Sequence, residues 1–204
     1  MTLEKRTHSQ VGKSNVRKGK TYERRVSQIL TDFTKVQFRR RRVEGRDLSV
    51  IERESTADVI PVTGNIIFSI EAKSGKGFSF DSLLGNPEKC LFSVWWHQAT
   101  YDATLLTNVL KREIYPMLFF KVSTTQDWVA IPSKCIGGSP GIKTISPLPQ
   151  LEYKYIVDSV KMNVSHTRNK KNIVEVTLNL PDVSFIRWKD FANFIVPESL
   201  FLED

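Results

Sequence analysis

The stretch Ser55 to Gly77 reads STADVIPVTGNIIFSIEAKSGKG and holds two carboxylates and a lysine at a spacing that suits chemistry. Successive side chains of a β-strand point to opposite faces. In IIFSIEAK, Ile66, Phe68, Ile70 and Ala72 therefore share an apolar face, which predicts packing against a helix, while Ser69, Glu71 and Lys73 share the other. Glu71 and Lys73 then emerge about 7 Å apart at the usual strand rise. Asp58 lies on the preceding run, across the turn signal TGN, and a hairpin brings it alongside. The expected result is a cluster of two carboxylates and one ammonium.

Such a cluster suits hydrolysis of a phosphodiester. Hard cations such as Mg²⁺ take carboxylate and carbonyl oxygens and keep several waters. Asp58, Glu71 and the backbone carbonyl of Ala72 are the expected ligands, with Mg²⁺ as cofactor and Mn²⁺ able to substitute. The ion would lower the pKa of bound water and polarise the phosphate. Lys73 would hold the attacking water or offset charge in the transition state. An exposed strand alternating Glu and Lys is also an ordinary solvated face. Three features favour chemistry here: Asp58 beyond the turn, the wholly apolar opposite face, and a block of basic residues upstream.

That block is marked. The 204-residue chain carries a net charge of +8, yet residues 1–47 hold 14 Lys/Arg against 5 Asp/Glu and the remainder 16 against 17. A positive excess gathered in one quarter of a chain suggests a polyanionic partner. The run Arg39, Arg40, Arg41 and Arg42 is costly to hold together without an anion, which favours phosphate contacts. Nothing resembles a signal peptide, and no apolar run reaches the roughly 20 residues of a membrane span. Cys90 and Cys135 have neither metal spacing nor a disulfide framework. His97 and His166 have no partner at ligand spacing and are read as incidental. These features lead us to expect a cytoplasmic protein, associated with the nucleoid or, if virus-encoded, in the host cytoplasm, with no membrane role.

The elements that must position the cluster follow from periodicity. Residues 1–18 are polar and aperiodic, and are expected as a flexible basic arm. Tyr22, Val26, Ile29, Leu30 and Phe33 recur at helical spacing and define one apolar face. Strands are expected at Lys35–Arg42, Thr56–Val62 and Ile66–Lys73, with a polar loop over Glu44–Glu54. Ser74–Lys89 is rich in Gly and Ser and reads as a loop able to move. Phe92–Arg112 follows as a helix, in which Trp95 and Trp96 are read as core or interface residues. PMLFFKV and DWVAIP then form a second hairpin. Gly137–Pro149 marks a boundary. Beyond it, IVEVTLNL alternates as a half-buried strand, EYKYIVDSV is its expected partner across SHTRNKKN, and Trp188, Phe191, Ala192 and Ile195 suggest a short helix. The expected organisation is the arm (1–18), a core domain (19–136) and a β-rich C-terminal extension (137–204) packed on it.

The pattern resembles the PD-(D/E)XK nuclease superfamily, and within it archaeal-type Holliday-junction-resolving endonucleases. The residues that carry the likeness are GKTYERRV (Gly19 to Val26), ADV (Ala57 to Val59), IEAKS (Ile70 to Ser74) and the pair of runs between Pro116 and Pro132. The resemblance spans about residues 17 to 132. It implies an α/β, restriction-endonuclease-like αβββαβ core with a mixed central sheet flanked by helices. It also implies a divalent metal and a homodimer cutting two strands of branched DNA. By the same resemblance Glu23 joins the metal site, Arg24 contacts phosphate, and Arg39 and Arg40 grip the backbone near the scissile bond. Lys20, Arg41 and Arg42 extend that DNA contact, and Gln98 stands where such nucleases carry a helix glutamine facing the site. Ala57 replaces the proline of the motif, and residues 137–204 have no counterpart in it.

The function expected from the sequence is thus a Mg²⁺-dependent, structure-specific DNA endonuclease, foremost a Holliday junction resolvase. Two rivals remain open: a sequence-specific, restriction-type nuclease of the same superfamily, and a nucleic-acid-binding protein with a silent nuclease fold.

Overall fold

The computed structural model describes residues 8–41, 57–75, 78–79, 82–83, 89–121, 126–136, 160–164, 174–178 and 183–202. Helix α1 runs His8–Thr34 and buries Tyr22, Val26 and Leu30, the stripe its sequence announces. Two local features end it. Thr34 Oγ1 donates to the Leu30 carbonyl at 2.8 Å, and Lys35 turns left-handed at φ 61° while its N–H reaches the Thr31 carbonyl. Thr31 Oγ1 then accepts the Phe38 N–H at 2.8 Å, so the helix end is tied to the first strand.

Strands β1 (Phe38–Arg40), β2 (Val59–Pro61) and β3 (Phe68–Lys73) form an antiparallel meander. The turn before β3 contains Gly64 at φ 87°, a conformation that side chains resist, and a Cβ there would also press on the Phe201 ring at 3.3 Å. Helix α2 (Leu91–Leu110) crosses over and returns the chain as β4 (Tyr115–Lys121), parallel to β3. Strand β5 (Asp127–Pro132) pairs antiparallel with β4. A separate hairpin, β6 (Val160–Val164) with β7 (Val174–Leu178), follows. Strand β8 (Val183–Arg187) pairs with β5, and helix α3 (Trp188–Phe194) follows it directly. The result is a six-stranded mixed sheet in the order β1-β2-β3-β4-β5-β8.

The sheet is covered on both faces. Ile66, Phe68, Ile70 and Ala72 pack with Tyr22, Val26 and Leu30 of α1 and with Phe191 of α3. Leu118, Phe120, Val183 and Phe185 pack on the other face against Phe92, Trp95 and Trp96 of α2. Both tryptophans are therefore core residues. Each face buries a layer of large aromatic and aliphatic side chains, the main source of the fold's stability.

Several expectations change. Residues 8–18, expected as part of a flexible arm, are the opening turns of α1. The strand expected over Lys35–Arg42 shrinks to three residues because the cap of α1 occupies its beginning. Of the described residues of the loop expected to move after β3, Phe78 and Leu83 are buried against α2 and a Cβ on Gly75 would lie 3.1 Å from the Trp95 ring, while Ser74 and Lys89 are exposed. The described partner of β7 is Val160–Val164, which meets the expected segment at Val160. Residues 183–202 are not an addition to the core, since β8 is its sixth strand and Ile195 and Leu200 belong to its buried interior. The expectations for residues 1–7, for Arg42 and the loop to Glu54, for 137–159 and for the turn at 165–173 lie outside the described residues.

Candidate active site

The site lies at the end of the sheet where β1, β3, β4 and β8 finish and β2 and β5 begin. Asp58 immediately precedes β2. Its backbone N–H donates to the Ile70 carbonyl at 3.0 Å, and its own carbonyl accepts the Arg41 N–H at 2.9 Å. The Ala72 N–H donates to Asp58 Oδ2 at 3.1 Å. This last bond fixes the Asp58 carboxylate beside β3, so the two acids meet as the hairpin reading required.

Glu71 is 1% exposed, because α2 covers the face that it shares with Lys73. Its Oε1 is ion-paired with Lys73 Nζ. Its Oε2 accepts no hydrogen bond, and the neighbouring group is a second carboxyl, Asp58. Burial, and then the charge of Asp58, push the Glu71 carboxyl up to about 8, with Lys73 pulling it back. A buried carboxylate short of donors is expensive, which makes Glu71 a candidate site residue. For Lys73, burial favours the neutral amine, but Glu71 and Asp58 outweigh it and hold the ammonium charged.

Glu23 reaches the same place from α1. Burial and then Asp58 raise its pKa, while Arg40 and Lys73 lower it, so three carboxyls share one electrostatic neighbourhood. Arg40 Nη1 stands 3.4 Å from Glu23 Oε2 and positions it from β1. Arg39 is half-buried on the opposite side of that strand. Lys20 and Arg24 are exposed and line a shallow groove along α1 with Gly12, Val16 and Arg17. Gln98 is exposed on α2. One turn further on, buried Asp102 is the α2 side chain whose charge reaches Lys73.

Asp102 was missed from sequence. The available signal was an acid set into the apolar stripe of Trp95, Ala99 and Leu106. A network on the α1 side was missed as well. Arg25 donates to buried Asp127 Oδ2 from Nη2 at 2.7 Å and from Nε at 3.2 Å, and Lys121 stands over the Tyr22 ring at 5.6 Å.

The donor set fits a hard divalent ion. Among the described residues no three acidic, His or Cys side chains come close enough to cage one. Mg²⁺ needs only one or two carboxylates and keeps its waters, and the Glu71 carboxyl beside Asp58 offers the required charge once ionised. Asp58, Glu71 and the Ala72 carbonyl are the residues that would hold it.

Helix-flanked mixed sheet, acid at the entry to β2, and Glu-Ala-Lys at the exit of β3 together define a restriction-endonuclease-like, PD-(D/E)XK nuclease fold. The family described as "Phage putative PDDEXK endonuclease" matches residues 14–192, and the chain belongs to it. That span reaches beyond residue 132, through β8 and most of α3. No curated protein and no solved structure matches the chain.

Proposed function

We propose that this protein is a divalent-metal-dependent DNA endonuclease, with branched DNA, foremost the four-way junction, as its substrate. The observation that carries the reading is the convergence of Asp58, Glu71 and Lys73 at one end of the sheet, with one buried carboxylate oxygen short of any donor. A bound Mg²⁺ would polarise the scissile phosphate and acidify a water. Asp58 and Glu71 hold the charge that attracts the ion, and Glu23 adds to it. Lys73, kept cationic by its acid neighbours, offsets charge as the phosphate becomes pentavalent. Arg40 aligns Glu23, and Arg39, Arg41, Lys20 and Arg24 would neutralise DNA phosphates on the side nearest β1 and α1; the same charge role is assigned to Arg42 from the sequence alone. Gln98 lies beside Asp102 on the α2 flank of that path.

The junction preference rests on the Gly19, Glu23 and Arg24 signature of α1 and on the absence, among the described residues, of any fold element known to read a major groove. Two active sites in a homodimer would cut both strands, in the cytoplasm of the cell or of a viral host.

The test is a fixed synthetic junction and a linear duplex of the same sequence, each incubated with Mg²⁺. Paired, symmetric nicks in the junction, lost in Asp58→Ala, are expected. Cutting confined to one duplex sequence would assign the protein to restriction-type chemistry, and binding without cutting under Mg²⁺ or Mn²⁺ would leave a silent nuclease fold.

A further inference from the structure

The sheet end that holds the candidate site continues well past it. Strands β1, β3, β4 and β8 all terminate there, and each ends on a cation: Arg40, Lys73, Lys121 and Arg187. The register is direct. Lys73 pairs with Phe120, Phe120 with Trp128, and Trp128 with Arg187, so Lys73 and Arg187 occupy one cross-strand row three strands apart. At the usual strand spacing that is about 14 Å, and the whole row from β1 to β8 spans about 24 Å.

The acids in the β4–β8 part of this end face inward. Asp127 is 6% exposed, while its partner Arg25 is 54% exposed. Asp190 is 21% exposed, while Arg187, whose Nε lies 2.6 Å from it, is 40% exposed. Lys121 lies 3.9 Å from Asp127, and Lys189 is exposed on the first turn of α3. Four cations are thus served by two largely sunken carboxylates. Burying the acids fixes the cationic heads in place and leaves a net positive surface. The concavity lined by Gln126, Asp127, Arg187, Trp188, Lys189 and Asp190 lies in this surface.

From this we propose that the ledge formed by Lys121, Arg187 and Lys189 is a second phosphate-binding patch, which holds the nucleic-acid backbone about 14 Å from the scissile bond. That separation is the row from Lys73 to Arg187, three strand spacings long. The inference rests on the DNA-nuclease reading and deepens it. It also accounts for the last part of the chain, which no motif explained, because β8 and the start of α3 extend the substrate path. The ledge meets backbone charge, so it contributes affinity and register without reading sequence.

The experiment measures binding of a fluorescent junction and duplex against salt, in Ca²⁺ or EDTA to prevent cutting. Arg187→Ala/Lys189→Ala should weaken binding by about tenfold or more at moderate salt and reduce the salt slope by close to two, one for each phosphate no longer neutralised. Lys189→Glu, on an exposed position that the fold does not need, should weaken binding in the same sense even if the double variant folds poorly. Lys134→Ala, at the far end of the sheet, serves as the control and should change neither quantity. Unchanged affinity and slope in both β8–α3 variants, with tight wild-type binding, would overturn the ledge and leave the nuclease reading standing. Failure of the wild type itself to bind any DNA would overturn both.

Discussion

The two ends of the central sheet are built on opposite electrostatic logic. At the far end the described carboxylate is paired and wet. Lys134 Nζ meets Glu113 Oε1 at 2.9 Å with both side chains more than half exposed, and a hydrogen bond from Tyr115 and then Lys134 hold the Glu113 carboxyl below its usual range. Arg112 Nη2 donates to the Ile66 carbonyl, and the Ile67 and Leu202 N–H groups find the Leu200 and Asn65 carbonyls. At the near end Glu71 and Glu23 are driven the other way by burial and by Asp58. One end lowers a carboxylate by hydrogen-bonding it in the open; the other raises two by burying them beside a third acid. Such an arrangement is common at functional sites, and under the proposed nuclease function a cation and a phosphodiester would complete it.

The largest effect expected from this contrast is on catalysis. Glu71→Ala should reduce cutting by about 10²–10³-fold, the scale on which single preorganised charge stabilisers act. Junction binding should stay near the wild-type level, because its cations lie on other residues. Collapse of binding together with cutting, measured on the folded variant, would make Glu71 a strut and erase the distinction between the ends.

A smaller effect is expected on stability, and its sign is fixed by the raised pKa. Glu71 takes up a proton more readily folded, at about 8, than unfolded near 4.5. Its neutral form therefore favours the fold below pH 4.5, and this contribution is lost as pH climbs through 8. The metal-free protein should lose on the order of a few kcal/mol across that window, and Glu71→Gln should flatten the dependence. Mg²⁺ should restore stability most at the alkaline end, where the carboxylate is already ionised. Thermal melts from about pH 5 to about pH 8.5, with and without the ion, provide the measurement. An equally steep profile in Glu71→Gln would move the cost to another group.

How much of this contrast could be seen in the sequence depends on how local its causes are. The stripe of α1 and the two faces of β3 were legible, because both periods are written within a short run of residues. So was the meeting of Asp58 with Glu71, since a turn and two short runs suffice. The depth at which Glu71 lies was not legible. It depends on α2 folding back across the sheet, a contact between residues far apart in sequence. Strand β8 was missed for a related reason. In Val183–Arg187 the alternation vanishes because Phe185 and Ile186 are buried on opposite faces. Asp102, Asp127 and Arg187 acquire meaning only once strand order places them along one end. The sequence-local motif named the chemistry, and the long-range pairing set its boundaries.

The smallest effect tests the quiet end. Glu113→Ala and Lys134→Ala each break an exposed ion pair, and exposed pairs contribute only about 0–1 kcal/mol. Lys134 also lies 4.8 Å from the Tyr115 ring centre, which adds little in water. Denaturant midpoints should therefore move slightly, and cutting and its salt dependence should not move at all. A marked loss of activity in either variant, without a matching loss of stability, would show that charge at the far end reaches the substrate. The division of labour across the sheet would then fail, because both ends would lie on the path of the DNA.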